Sequence, residues 1–225
     1  MTPNGQFCHR CGGRFALSNN VEECSRCRTS EFRFKRAITL GEYENDLRWL
    51  VLRMKTDKTG ILAISAAKVL ANSRRTELEN VQADYVMSVP MHRLRRKDRG
   101  VNSPDFIAEE LGRRLKIPVV RHLVRRIRPT DLQYTLSQRA RTENVSGAFA
   151  LRPPPLGEKL INATTGRRWS VAQSPDLSDK NILLVDDILT TGSTCNAITK
   201  VLLAAGVRTV AVAVLARARR DIQGK

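Results

Sequence analysis

The chain is expected to fold as an α/β protein, a doubly wound and mostly parallel sheet preceded by a small N-terminal metal-binding module. Three features of its 225 residues carry that expectation. Near the C-terminus an apolar strand, a helix and a second apolar strand follow one another with short turns between them. Four of the five cysteines fall in the first 27 residues as two CxxC pairs. The composition, 41% hydrophobic and 27% charged, is that of a folded chain.

The first unit is residues 1–35. Cys8-x-x-Cys11 and Cys24-x-x-Cys27 supply four thiolates at the spacing of a structural zinc ribbon or knuckle. A full thiolate set leaves no open coordination position, so the metal has a structural role. Gly12 and Gly13 permit the tight turn that aims backbone amides at the sulfurs. Two disulfides or an iron–sulfur cluster are the competing readings, and a reducing compartment disfavours the disulfides. His9 is read as a bystander. Cys195, buried by pattern in the last helix, is read as a small apolar residue.

The second unit is residues 36–225. After Tyr43, the apolar residues Leu47, Leu50, Val51 and Met54 recur at helical spacing, and Leu62, Ala66, Val69 and Leu70 do so after Gly60. Asp84–Pro90 reads as a buried strand ending at a basic loop. Asn102 or Ser103 caps a helix with Pro104 in its first turn and Ile107, Leu111 and Leu115 as its buried stripe. Pro118–Val124 reads as the next strand, 125–144 as a polar segment with a helical stretch near its end, and Ala148–Leu151 as a short strand. Residues 152–179, with Pro153-Pro154-Pro155, look like an exposed and partly disordered insertion. Asn181–Val185 is then a strand, Asp186–Thr194 a turn, Thr194–Ala205 a helix stopped by Gly206, and Thr209–Leu215 the following strand.

Lys and Arg number 39 against 22 Asp and Glu, a formal charge of +17. That excess points to an anionic partner without choosing among nucleic acid, phosphorylated small molecules and a membrane surface. It is clustered in four blocks: His92–Arg99, Arg121–Arg128, Arg139 with Arg141, and Arg217–Arg220. Any single block is equally well a solvated basic face; four together favour polyanion contact. Aromatic residues are only 5% of the chain, so a base-stacking platform is not evident. The longest apolar run, Val210–Ala216, is far short of the ~20 residues of a membrane span. Met1–Phe7 lacks a signal pattern. A soluble, cytoplasmic protein is expected.

The most informative segment is Leu183–Thr194. Its apolar strand delivers Asp186 and Asp187 to the carboxyl edge of the sheet, where open α/β folds bind ligands. The hydroxyl-rich turn that follows, with Gly192, opens onto a helix N-terminus and makes a phosphate cradle. Such a pair beside such a cradle suits a phosphorylated sugar, the acids accepting from ribose hydroxyls or contacting a Mg²⁺ held mainly by the ligand. A ligand-free helix cap is the plainer alternative, but a cap needs one acid and not a pair followed by Thr-Thr-Gly.

This segment resembles the phosphoribosyl pyrophosphate (PRPP) loop of type I phosphoribosyltransferases. The resemblance implies that Asp186 and Asp187 contact the ribose hydroxyls and that Thr190, Thr191, Gly192, Ser193 and Thr194 hold the 5-phosphate. Nearly the whole chain is similar to the ComF (ComFC/GntX) family. After the cysteine segment come Tyr43-Glu44-Asn45-Asp46-Leu47-Arg48 and Arg53-Met54-Lys55, then Val89-Pro90-Met91-His92 followed by Arg99-Gly100-Val101-Asn102. Thr130, Gln133, Leu136, Arg141, Asn144-Val145 and Gly147-Ala148-Phe149 match the next block in order. Val101 stands where that family usually has Phe, and Ser103-Pro104 replaces Gln-Ala.

By the same resemblance, the loop after Asp84–Pro90 meets pyrophosphate, with His92, Arg93 and Arg99 as candidates on that side. Residues 125–144 lie where related enzymes carry a lid, from which Arg139 or Arg141 would close on phosphate. No catalytic residue is assigned, and no acceptor hood is evident. The implied function is binding of PRPP with Mg²⁺ together with single-stranded DNA or a competence helicase, in DNA uptake for transformation. The alternative is an active phosphoribosyltransferase moving the 5-phosphoribosyl group to an unidentified nucleophile.

Overall fold

Apolar residues in unbroken runs, rather than alternating with polar ones, mark strands covered on both faces, and Ile182–Val185 and Val210–Ala216 are such runs. A computed structural model describes residues 7–14, 24, 27, 31–91, 100–121, 123–128, 145–152 and 175–218. The elements are β1 (Arg36–Glu42), α1 (Asn45–Met54), α2 (Ile61–Ser73), α3 (Arg75–Glu79), β2 (Tyr85–Ser88), α4 (Ser103–Leu115), β3 (Val124–Arg126), β4 (Phe149–Leu151), β5 (Asn181–Leu189), α5 (Ser193–Ala204) and β6 (Thr209–Arg217). The main sheet has the order β1-β6-β5-β2, and every pairing in it is parallel.

Side chains divide strictly between the two faces along the centre of β5. Ile182 and Leu184 join a core with α5, the β3–β4 hairpin, Cys11, Cys24, Phe32 and Phe34. Leu183 and Val185 join a second core with α1–α4. All four are fully buried, each worth about 1.5–3 kcal/mol of transfer free energy. Among the described residues, no helix is long and apolar enough to cross a membrane.

Two expectations need correction, and one strand is added to them. Strand β5 does not end at Val185 but runs to Leu189, because Asp186, Ile188 and Leu189 continue the ladder against Val214, Ala216 and Arg217 of β6. The acid pair therefore stands on a strand, not in a turn. Pro118–Val124 is not one strand: Val119 makes a lone parallel bridge to Val86, whereas Val124 opens β3, which pairs antiparallel with β4. Arg121, in the middle of that run, is drawn to Glu109 of α4 at 2.6 Å. Strand β1 was not anticipated at all; its polar and glycine content hides it until β6 supplies the neighbour.

Helix α4 begins as read, but Asn102 caps it through its backbone. The Asn102 carbonyl accepts from the Asp105 N–H at 2.9 Å, and its side-chain amide turns away to Val89 and Asp105. Farther along α4, Glu110 is buried and accepts from Arg113 at 2.8 and 3.0 Å and from Arg114 at 2.6 Å. Arg113's hydrogen bonds, then Arg114's, hold its carboxyl down at about 2, against the opposing effect of burial. Since this folded-state value lies below the ordinary 4.5, the stability gained is present above 4.5 and drains away as pH falls toward about 2. Glu110→Gln should cost on the order of 2 kcal/mol at neutral pH, allowing for the exposure of Arg113, and almost nothing near pH 2. A difference between the two proteins that does not change with pH in thermal melts would contradict this.

The expected lid lies outside the described residues from 129 to 144, as does the expected insertion from 153 to 174.

Candidate functional site

Because β2 and β5 run parallel, their carboxyl ends share one edge of the sheet. Ser88 pairs with Val185 and the Val89 N–H donates to the Val185 carbonyl at 2.8 Å, so the loop after β2 leaves level with Asp186. That loop is tied to α4 through Asp105, whose Oδ1 accepts from the Ser88 hydroxyl at 2.5 Å and from the Asn102 amide at 2.8 Å. Sequence reasoning took no notice of Asp105; its place in the first turn of a helix looks like ordinary dipole complementation.

Asp186 and Asp187 are brought together as expected. The Asp187 N–H donates to Asp186 Oδ1 at 2.9 Å. Asp186 keeps some solvent contact yet stands deep in the protein. Burial pushes its carboxyl well above the ordinary range, the neighbouring Asp187 charge pushes it further, and the Arg126 charge on β3 opposes both. The pair thus holds negative charge at a cost, a condition that a cation or an array of hydroxyl donors would relieve.

The turn that follows is short and built of hydroxyls. Thr190 and Thr191 lead to Gly192, which takes a left-handed conformation (φ 84°) as the residue before α5. Thr191 Oγ1 and Ser193 Oγ lie 2.8 Å apart, and the Ser193 N–H donates to Thr191 Oγ1 at 3.3 Å. Thr194 occupies the first turn of α5. Gly192 is required twice over: by its φ, and because a Cβ there would lie 2.8 Å from the Phe32 ring. Gly192→Ala is expected to cost about 1–3 kcal/mol; unchanged stability in thermal melts would refute the turn geometry.

The Sγ atoms of Cys8, Cys11, Cys24 and Cys27 all lie within 4.8 Å of one another. Cys8 and Cys27 are 3.6 Å apart, and Cys11 and Cys24 3.7 Å. Tetrahedral Zn–S bonds of about 2.3 Å set sulfur separations of roughly 3.8 Å, so the donor set fits. Amides of Arg10 and Cys11 point at the Cys8 sulfur and the amide of Gly13 at that of Cys11, as the Gly12-Gly13 turn predicts. Burial and the neighbouring thiol charges push the Cys11 and Cys27 thiols up, a demand for positive charge at their centre. His9 is exposed and stands outside this group. Cys195 is buried in the apolar core, as expected.

The basic blocks meet different fates. His92, Arg93 and Arg99, with the rest of the first block, lie outside the described residues, and so do Arg139, Arg141, Arg219 and Arg220. In the second block Arg121 and Arg125 are exposed, and with Arg126 and Arg152 they line an open-mouthed cavity of about 740 Å³. Met87, Phe106 and Ile127 supply its apolar wall. Arg217, expected on the basic surface, is fully buried. Its guanidinium donates to the carbonyls of Cys11 at 2.9 Å, Leu189 at 2.6 Å and Thr190. Arg217 and the arginine-lined cavity are what the sequence did not disclose.

The pattern of the phosphoribosyl transferase domain family matches residues 107–224. Over 216 residues the chain is 29% identical to competence protein F of Haemophilus influenzae, a match spanning 94% of this chain and 85% of that protein. It is 28% identical over 215 residues to DNA utilization protein YhgH of Escherichia coli K12, spanning 94% and 84%. Among solved structures, the purine phosphoribosyltransferase from Pyrococcus horikoshii aligns over 80% of this chain and 77% of that one, with 17% identity and a TM-score of 0.37. The matched span holds the acid pair, the hydroxyl turn and the helix they lead into, and the chain belongs to the phosphoribosyl transferase domain family.

Proposed function

We propose that this protein binds PRPP with Mg²⁺ at the carboxyl rim of its sheet and serves the uptake or use of DNA. The observation that carries the ligand is the juxtaposition of Asp186 and Asp187 with a hydroxyl turn at a helix N-terminus. In this reading the two carboxylates accept from the ribose 2- and 3-hydroxyls. Thr190, Thr191, Gly192, Ser193 and Thr194 surround the 5-phosphate, with backbone N–H groups and the helix dipole as its partners. His92, Arg93 and Arg99 are the candidates to meet the pyrophosphate. Mg²⁺ bound with the ligand neutralises pyrophosphate charge. The four cysteines hold zinc, and residues 1–35 form the module around it.

The DNA role is supported by the names of the relatives, competence protein F and DNA utilization protein YhgH, and by the +17 charge. Single-stranded DNA or a competence helicase is the partner in this reading. Isothermal titration of the zinc-loaded chain with PRPP and Mg²⁺ tests the ligand; saturable heat is expected, and its absence refutes the proposal. Anisotropy with a labelled oligonucleotide tests the second part, affinity falling steeply with salt if several phosphates are contacted.

One observation favours transfer chemistry over binding alone. The cavity of about 740 Å³ is lined in part by Arg126, whose charge acts on Asp186, and its apolar wall leaves room for a second substrate. Release of pyrophosphate in the presence of candidate acceptors would establish it.

A further inference from the structure

We infer that the four-cysteine cluster sets the shape of the phosphate loop, with Arg217 and Arg10 as positioning residues, so that metal occupancy and sugar-phosphate affinity are coupled. The inference rests on reading that loop as a sugar-phosphate site.

Three contacts join the two. Arg217 ends β6, and its buried guanidinium has Nε on the Cys11 carbonyl and Nη1 on those of Leu189 and Thr190. One side chain thus grips a metal-ligand residue at one end and the entrance to the hydroxyl turn at the other. Arg10 lies inside the first CxxC pair and donates to the carbonyls of Phe32 and Phe34. Its guanidinium also sits 5.8 Å from the centre of each ring. Those rings pack at 4.8 Å, and Phe32 is the wall against Gly192. Finally, Asn196 in α5 accepts from the Arg33 N–H at 2.8 Å and donates to the Glu31 carbonyl at 2.8 Å.

The phosphate loop is therefore tied to the cysteine segment at its entrance through Arg217 and the Cys11 carbonyl, at its glycine by Phe32, and beyond it by the bonds of Asn196 to the backbone of Glu31 and Arg33. A thiolate quartet around a divalent cation carries two net negative charges, which favour the guanidinium groups of Arg10 and Arg217 in a poorly solvated setting. Without the cation the quartet loses its rigidity, and the carbonyl of Cys11 is no longer fixed for Arg217. The turn then samples other shapes, and the ligand must reorder it at its own expense.

Linkage makes this testable from both ends, since each ligand must change the other's affinity by the same factor. The test uses the full chain, zinc-loaded or stripped by chelator, titrated with ribose 5-phosphate and with PRPP plus Mg²⁺. Zinc affinity is measured by competition with a chromophoric chelator, with and without ribose 5-phosphate. At least about a fivefold change in each direction is expected. Arg217→Lys and Arg10→Gln, chosen to retain one zinc per chain by metal analysis, should bring that factor toward one. Residues that served stability alone would lower Tm and leave the linkage intact, which would overturn their positioning role. Equal sugar-phosphate affinities with and without zinc would overturn the inference alone. Failure of the zinc-loaded wild type to bind either ligand would overturn the sugar-phosphate reading and the inference with it.

Discussion

Asp186→Asn combined with Asp187→Asn is expected to weaken PRPP binding strongly while raising the melting temperature of the free protein. In the proposed binding mode each carboxylate accepts hydrogen bonds from the sugar, and bonds to a charged group are worth about 1.5–3 kcal/mol apiece. Losing two weakens affinity by about 100-fold or more. The stability effect has the opposite sign. Burial and Asp187 raise the Asp186 carboxyl above its ordinary 3.8, so the folded protein holds that proton more tightly than the unfolded chain does. The stability this provides is complete below 3.8 and is lost as pH rises through the folded-state value. Asparagine carries no charge to bury and still offers Oδ1 to the Asp187 N–H. The single substitution Asp186→Asn should therefore raise Tm at neutral pH. The gain should shrink as pH falls below the folded-state value. A variant that melts below wild type at neutral pH would show that the acid pair is not under electrostatic strain.

Cys11→Ser is expected to abolish metal binding by the quartet and to unfasten the N-terminal segment. Cys11 is fully buried and Cys24 nearly so, and both belong to the core that contains Phe32, Phe34 and α5. A serine hydroxyl is a poor zinc ligand, and three thiolates do not close the site. Structural zinc contributes about 10–16 kcal/mol in zinc-finger peptides. Even a third of that, in a chain of this size, lowers Tm by roughly 10 °C or more. Chelation of the wild type should reproduce the loss, and zinc readdition should rescue wild type but not the variant. Cys195→Ala is the control, since Cys195 is buried in α5 away from the quartet; it should keep one zinc per chain. Full zinc content in Cys11→Ser would refute the assignment, and bound iron with a visible absorption band would replace it.

Legibility in the sequence followed how local each signal was. The β5–α5–β6 unit could be read because its apolar runs, its glycine stop and its hydroxyl turn all lie within 37 residues, 181–217. The cysteine quartet was equally plain, because soft ligands in paired CxxC spacing have few other uses. Strand propensity misplaced the end of β5: aspartates read as turn residues, and only pairing with β6 keeps Asp186 extended. Strand β1 likewise exists by virtue of a partner 175 residues away, as in Ile38 opposite Ala213. Arg217 was misjudged for the same physical reason. A block of arginines resembles a solvated face until the carbonyls of Cys11, Leu189 and Thr190 converge on one of them.

The central claim is most directly tested by a crystal structure of the zinc-loaded chain grown with PRPP and Mg²⁺. Ribose hydroxyls within hydrogen-bond distance of both Asp186 and Asp187, with the 5-phosphate on the Thr191–Thr194 amides, is the predicted result. Sugar-phosphate density away from that rim, with the two aspartates making no contact to it, would contradict the account.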